Sequence, residues 1–298
     1  MLKNQAKRKL LIAQLNNRLS QSNEKQLEQA LRKYFKGLRE EVLNNLEEYW
    51  SEYQLLQGHI DLIIAPVLDS HEKYYAILEK HNKREYQLGN AEAKRLIDIA
   101  NDKHSDKSIH RFKGYIKRVD DLFGTIKWSE DDLLQKTFIA SKRTLARVTS
   151  DLNQIITEGY TSGKGINVVA NMLTRRFDQL ETWEAKRIAR TEIHNSHNQG
   201  VMRIYDEVGV EYTQWISAHD DRVRGLKPSD TADHVVLDGQ IIRLGDTYSN
   251  GLHFPGDPTG PIEEWINCRC SNAPYVIPYG YIAPGDKVQF YEDDLIKI

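Results

Sequence analysis

Apolar residues recur every three or four positions through the first half of the chain. From Leu27 they run Leu27, Leu31, Tyr34, Phe35, Leu38, Val42, Leu46, Tyr49 and Trp50, a spacing that lays one apolar stripe along a helix. Gly58 and Pro66 punctuate the next stretch of chain. A second helix is expected from Asp69 to Lys83, where His71, Tyr74, Tyr75 and Leu78 alternate with charges, and Asn101 to His110 is polar and turn-like. A long helix is expected from Ser129. Its hydroxyl can cap the first turn, and Glu130, Asp131 and Asp132 complement the positive end of the helix dipole. Its stripe reads Leu134, Phe138, Leu145, Val148, Leu152 and Ile155, and Gly159 suits a stop. The segment Tyr160–Gly165 (YTSGKG) is the best internal boundary. Its Gly-Lys pair lacks the spacing and the preceding strand of a phosphate loop, so it reads as a turn between helices. Two more helices come next, about Asn167 to Phe177 and about Thr182 to Val208, and Gly209 ends the second.

After Gly209 the pattern changes. EYTQWIS is rich in aromatic and β-branched residues and reads as a strand. In HVVLDGQIIRL two β-branched runs flank Asp238-Gly239, a pair suited to the positive φ angles of a tight hairpin turn. Six of the eight prolines lie after position 250, marking a long Pro/Gly loop, and APYVIP reads as a final short strand. The fold class expected is α+β: a long helical N-terminal half, then a small C-terminal α+β domain with a β-hairpin. The boundaries are 1–128 for the helical region, 129–280 for the α+β domain and 281–298 for a tail.

Composition narrows the setting. Hydrophobic residues make up 40% and charged residues 28%, as in a soluble protein with long surface helices. The net charge of −2 does not announce a polyanion partner for the whole chain. The charge is uneven, however: residues 1–40 carry ten Lys/Arg against three Glu, a local excess of +7. Lys3, Lys7, Arg8, Lys9 and Arg18 are therefore candidates for non-specific contact with double-stranded DNA, against the blander reading of a solvated helix face. No apolar run of about 18 residues exists to span a membrane, and the short, Gln-interrupted start does not read as a signal peptide. Two cysteines give no disulfide framework, which points to synthesis in a reducing cytoplasm.

Three constellations could carry chemistry. The first is Asn267-Cys268-Arg269-Cys270, which holds both cysteines of the chain. In an extended segment residues i and i+2 point the same way, so both sulfurs can face one metal. Zinc takes four ligands. His234 is the preferred third, and His219, Asp220 and His253 compete for the fourth. The competing readings are no cofactor, with two small buried side chains in a tight loop, and a strained Cys-x-Cys disulfide. The second is AHDDRVR, Ala218 to Arg224, where a metal-dependent hydrolase or nuclease would use His219, Asp220 and His234. The third is ARTEIHNSHNQG, Ala189 to Gly200. Arg190, His194 and His197 share one helical face there, and Glu192, Asn195 and Asn198 share another. Glu192 and Asn198 are expected to bond the neighbouring β-layer.

The pieces also have an order: Ala-Arg-Thr-Glu at 189–192, Asn198, Trp215, Asp-Asp-Arg-Val-Arg at 220–224, His-x-x-x-Asp-Gly at 234–239, a Pro/Gly loop, then Asn-Cys-Arg-Cys. That series resembles the head-morphogenesis domain of phage minor head proteins, the Mu F-like family, over about residues 130–278. Arg190, Glu192, Asn198, Asp220, Arg222, His234, Gly239, Cys268 and Cys270 match its recurrent positions. The resemblance implies a non-enzymatic virion protein in few copies, inside the capsid near the portal, made in the host cytoplasm. It implies portal protein and major capsid or scaffold protein as partners, no membrane, and a role in head assembly and in DNA packaging or ejection. No catalytic residues come with it. The chain departs from the pattern in a long gap between Arg224 and His234 and in PIEEWI before the cysteines, where the family has a shorter approach, often with a His.

Overall fold

The computed structural model describes residues 2–51, 54–102 and 128–298. Helix α1 (Leu2–Tyr49) carries the expected stripe: Leu27, Leu31, Tyr34, Phe35, Leu38, Val42 and Leu46 are all buried. Gly58 and Pro66 do not interrupt a helix as expected. Both lie inside α2 (Gln57–Leu68). Pro66 lacks the N–H that would bond the carbonyl of Leu62, and the Asn45 side-chain amide donates to that carbonyl instead at 2.8 Å. Helix α3 (His71–Asp102) runs well past Lys83. Asn101 and Asp102, expected in a turn, are its last residues, and the remainder of that turn, 103–110, lies outside the described residues.

Helix α4 (Glu130–Thr161) begins as expected, with the Asp132 N–H donating to Ser129 Oγ at 3.1 Å. Its buried face is Leu133, Thr137, Ser141, Leu145, Val148, Leu152 and Ile156. Leu134 and Ile155 are only half-buried and Phe138 is exposed, because small polar residues occupy two inward positions; Ser141 satisfies its hydroxyl by donating to the Phe138 carbonyl at 2.7 Å. Gly159 does not stop the helix. It sits inside, where a Cβ would lie 2.5 Å from Val169 Cγ2 of α5 (Ile166–Gln179), and the left-handed turn falls at Gly163, φ +64°. The expected break before Thr182 is a single π-helical turn, Leu180–Glu184, joining α5 to α6 (Ala185–Val208). Gly209, φ +73°, ends α6, and the Val210 N–H closes the cap on the Tyr205 carbonyl at 2.9 Å.

The chain forms two compact units, each interleaved in sequence. One comprises residues 24–81 and 134–189. Its core includes a ring cluster of Tyr34, Phe35 and Tyr74 with centroids 5.1–6.0 Å apart. It also buries a charge network. Glu184 accepts from Arg176 and Arg147 at 2.6 Å each, and Arg176 reaches Asp151 at 2.8 Å. Burial opposes the Glu184 charge, but the two guanidiniums outweigh it and hold the carboxyl below its ordinary range.

The other unit comprises the described residues among 1–23, 82–133 and 190–298. Within it α3 and α6 cross at two glycines: a Cβ on Gly200 would lie 2.2 Å from the Tyr86 carbonyl oxygen, and one on Gly89 2.1 Å from that of His197. The crossing also buries an ion cluster. His197 Nδ1 lies 2.9 Å from Glu85 and Nε2 3.3 Å from Glu92, while Ser20 and Asn23 donate to Glu85 at 2.6 and 2.9 Å.

A four-stranded antiparallel sheet in the same unit is built from β1 (Tyr212–Ile216), β2 (Ile241–Arg243), β3 (Ser271–Tyr275) and β5 (Gln289–Phe290). Their order is β3-β1-β2-β5. A two-stranded pair, β4 (Tyr281–Ile282) with β6 (Ile296–Lys297), stands apart. The α+β class is thus observed, and EYTQWIS forms β1, one of the two central strands. The hairpin centred on Asp238-Gly239 is not formed. Gly239 takes the expected positive φ, +87°, but 235–239 is a turn, and β2 pairs with β1 and β5. The reason is Asp233, whose Oδ1 accepts the N–H groups of Val235 and Val236 at 3.0 and 3.2 Å and so removes the donors a strand would need. APYVIP is not the last strand either: β3 starts earlier, at Ser271, and pairs with β1 in the register Tyr212↔Tyr275 and Ile216↔Ser271.

Candidate functional site

The sheet's alternation decides what surrounds the cysteines. Trp215 points to one face of β1, where it packs with Leu237, Ile242, Tyr248, Leu252, Cys268 and Cys270; Ile216 points to the other, against Leu96 of α3. The tight turn Trp265–Cys268 leads into β3, with Asn267 in the left-handed region at φ +55°. Both cysteines are free and buried.

The predicted ligand set is brought together in part. His234, Cys268 and Cys270 are all buried, with one donor atom of each within 4.8 Å of the others. His234 Nδ1 lies 3.8 Å from Cys268 Sγ and 3.5 Å from Cys270 Sγ. The other ring nitrogen, Nε2, is 3.1 Å from Glu264 Oε2, and the Trp215 ring stands edge-on at 5.3 Å. The Cys270 N–H donates to Cys268 Sγ at 3.4 Å. Burial alone would raise the Cys268 thiol, but hydrogen bonds from Cys270, His194 and His234 hold it well below the ordinary thiol range. The neighbouring sulfur, together with burial, pushes Cys270 up.

The three competitors for a fourth ligand are elsewhere. His219 Nε2 pairs with Asp238 at 3.4 Å. His253 Nδ1 meets the Asp246 carbonyl at 3.0 Å. Asp220 is held by both Arg269 nitrogens, one of them at 2.7 Å, and by Arg222 at 3.1 Å. Burial opposes its charge, yet Arg269 and the Arg222 N–H bring its carboxyl down to about 2. His219, Asp220 and His234 therefore face three different sets of partners and do not converge as a hydrolase or nuclease site would require. Among the described residues, the one group of three with metal-ligand spacing is His234, Cys268 and Cys270.

The motif residues of α6 hold loops. Arg190 donates to Asn267 Oδ1 at 3.2 Å, and Thr191 Oγ1 accepts the Asn267 N–H at 3.0 Å, so the Ala-Arg-Thr-Glu turn grips the first residue of Asn-Cys-Arg-Cys. Asn198 donates to the Pro255 carbonyl at 2.7 Å and the Cys270 carbonyl at 3.4 Å. It bonds the β-side of the unit as expected. Glu192 does not: it accepts from Asn82 of α3 at 2.9 Å, and burial pushes its carboxyl up to about 6. The shared face of Arg190, His194 and His197 splits as well. Arg190 and His194 go to the cysteine loop, and His197 goes to Glu85 and Glu92. Arg224 donates to the carbonyls of Glu264, at 3.0 Å, and Ile266. A cavity of about 230 Å³ remains between these clamps, with Arg190, Arg222, Arg224 and Arg269 on its wall beside the cysteine pair. The participation of Glu264 and His194 was missed from sequence. His194 had a signal, its place four residues after Arg190 on one face, whereas Glu264 sits in a four-residue helix, α7 (Ile262–Trp265), that no periodicity announces. For the DNA-contact candidates Lys3, Lys7, Arg8, Lys9 and Arg18, the backbone is helical and the side chains lie outside the described residues.

This architecture defines a class: an α+β domain whose recurrent residues clamp a Pro/Gly loop and a buried Cys-x-Cys segment onto one helix. Residues 150–273 match the family model of phage Mu protein F like protein. The family is one of structural phage head proteins. No curated protein and no solved structure matches the chain. No helix among the described residues is long and apolar enough to cross a membrane.

Proposed function

We propose that the chain is a portal-associated minor head protein of a tailed phage, non-enzymatic, with a role in head assembly and in DNA packaging or ejection. Portal protein and major capsid or scaffold protein are its partners, and its place is inside the capsid near the portal. The observation that carries this reading is the Mu F-like match over residues 150–273. The use of the motif side chains supports it. Arg190, Asn198 and Arg224 spend their hydrogen bonds on backbone and amide groups of neighbouring loops, and Asp220 is neutralised by Arg269. Groups committed to such bonds build a rigid surface for docking rather than turn over a substrate. Quantitative proteomics of purified virions and of empty proheads tests the proposal. The protein is expected in both, at a copy number near that of the portal and far below that of the major capsid protein. Absence from both would overturn it.

A further inference from the structure

We propose that Cys268, Cys270 and His234 hold a zinc ion that fastens the cysteine loop to the Asp233–Gly239 turn, its fourth position facing the cavity beside the cysteine pair. The geometry of these three residues carries the argument. With Zn–S bonds of about 2.3 Å and Zn–N bonds of about 2.0–2.1 Å at a tetrahedral angle, a nitrogen and a sulfur on one zinc ion stand about 3.6 Å apart. The two His234–cysteine distances are 3.8 and 3.5 Å. The same ring nitrogen, Nδ1, faces both sulfurs, as a ligand atom must.

The surroundings match such a site. The nitrogen of His234 that faces away from the sulfurs meets a carboxylate, Glu264, which itself accepts from the Asn250 amide at 3.0 Å. A carboxylate behind a metal-bound histidine fixes its tautomer and raises its basicity. The Cys270 N–H pointing at Cys268 Sγ stabilises a thiolate there. Trp215, Leu237, Tyr248 and Leu252 keep the sulfurs dry.

The ligands come from a turn and a strand entry. That spread suits a structural zinc that closes long loops, since binding is lost when those segments separate.

The test uses the full-length chain. Purified protein, or protein refolded with equimolar zinc, is expected to hold about one zinc per chain by elemental analysis. Cobalt added in its place is expected to give the intense visible bands of a tetrahedral site together with thiolate-to-cobalt charge transfer, a readout that needs no mutation. Cys268→Ser, Cys270→Ser and His234→Ala are each expected to lose the metal, while Glu264→Gln weakens it by about ten- to a hundredfold. His219→Ala and His253→Ala are expected to keep it. Absence of zinc after reconstitution, octahedral cobalt spectra without charge transfer, or a His234→Ala protein that folds and binds zinc as tightly as the parent would each overturn the site as drawn.

Discussion

Replacing Gly200 by alanine tests the packing of α6 on α3 through an atom that is not there. Alanine is favoured over glycine in a helix interior by about 1 kcal/mol, so propensity alone predicts a more stable protein. The crossing predicts the opposite. The new Cβ would stand 2.2 Å from the Tyr86 carbonyl oxygen, and that oxygen belongs to helical backbone that cannot rotate away. Ordinary contact requires the helices to part by roughly 1 Å, and a gap of that size forfeits a quarter to a half of the dispersion along the seam. Overpacking of this kind costs about 1–3 kcal/mol, and after the propensity gain a net loss of up to about 2 kcal/mol remains. For a domain of this size that lowers Tm by up to about 8 °C in calorimetry. Gly37 is the control: it also lies inside a helix, and a Cβ there meets nothing within 4 Å. Gly37→Ala is expected to raise stability by about 0.5–1 kcal/mol. If the two substitutions shift Tm in the same direction, the close crossing of α3 and α6 is refuted.

Other parts of the chain give two further expected outcomes. Hydrogen bonds and charge from Glu85 and Glu92 outweigh burial and raise the His197 pKa from its ordinary value of 6.5 to about 10. The stability this supplies is complete below 6.5 and is lost as pH rises through 10, so urea midpoints should fall across that window in the parent and not in His197→Gln. His197→Ala, which leaves two buried carboxylates without their cation, should cost about 3–5 kcal/mol. The basic first 40 residues should bind double-stranded DNA weakly and without sequence preference, with affinity falling steeply as salt rises; binding that ignores salt, or that is absent at about 50 mM salt, would refute this.

The sequence made the helices legible wherever large apolar residues alone set the inward face, as in α1. It misled where small polar residues took that face, as Thr137 and Ser141 do in α4. Proline was read as punctuation because its missing N–H is a local rule, but Asn45, seventeen residues before the affected carbonyl of Leu62, compensates and is invisible locally. The Asp-Gly turn shows the same limit: Gly239 takes its positive φ, while the strand expected before it is consumed by Asp233. At the candidate site, the i, i+2 logic brought both sulfurs to one point and His234 to meet them, because that geometry is fixed by a short segment and one partner. The fate of His219, Asp220 and His253 depended on Asp238, Arg269 and the Asp246 carbonyl, and spacing along the chain does not rank such tertiary competitors.

The interleaving of the two compact units sets the order in which the chain can finish folding. One unit is complete in sequence at residue 189, so it can close while the strands of the sheet are still being synthesised. The other joins residues 1–23 to 190–298, and its two central strands wait for β3 and β5. Its first segment meets α3 early, through Ser20 and Asn23 on Glu85, but the core these share with α6 and the sheet closes only after residue 190, at the entropic cost of a long loop. No single cut yields two pieces that each hold one whole core. The Mu F-like segment shows this directly: residues 150–189 belong to one unit and 190–273 to the other. Excised alone, that segment would expose both interiors, so this domain is a recurring pattern of residues that depends on the rest of the chain to exist as a folded object.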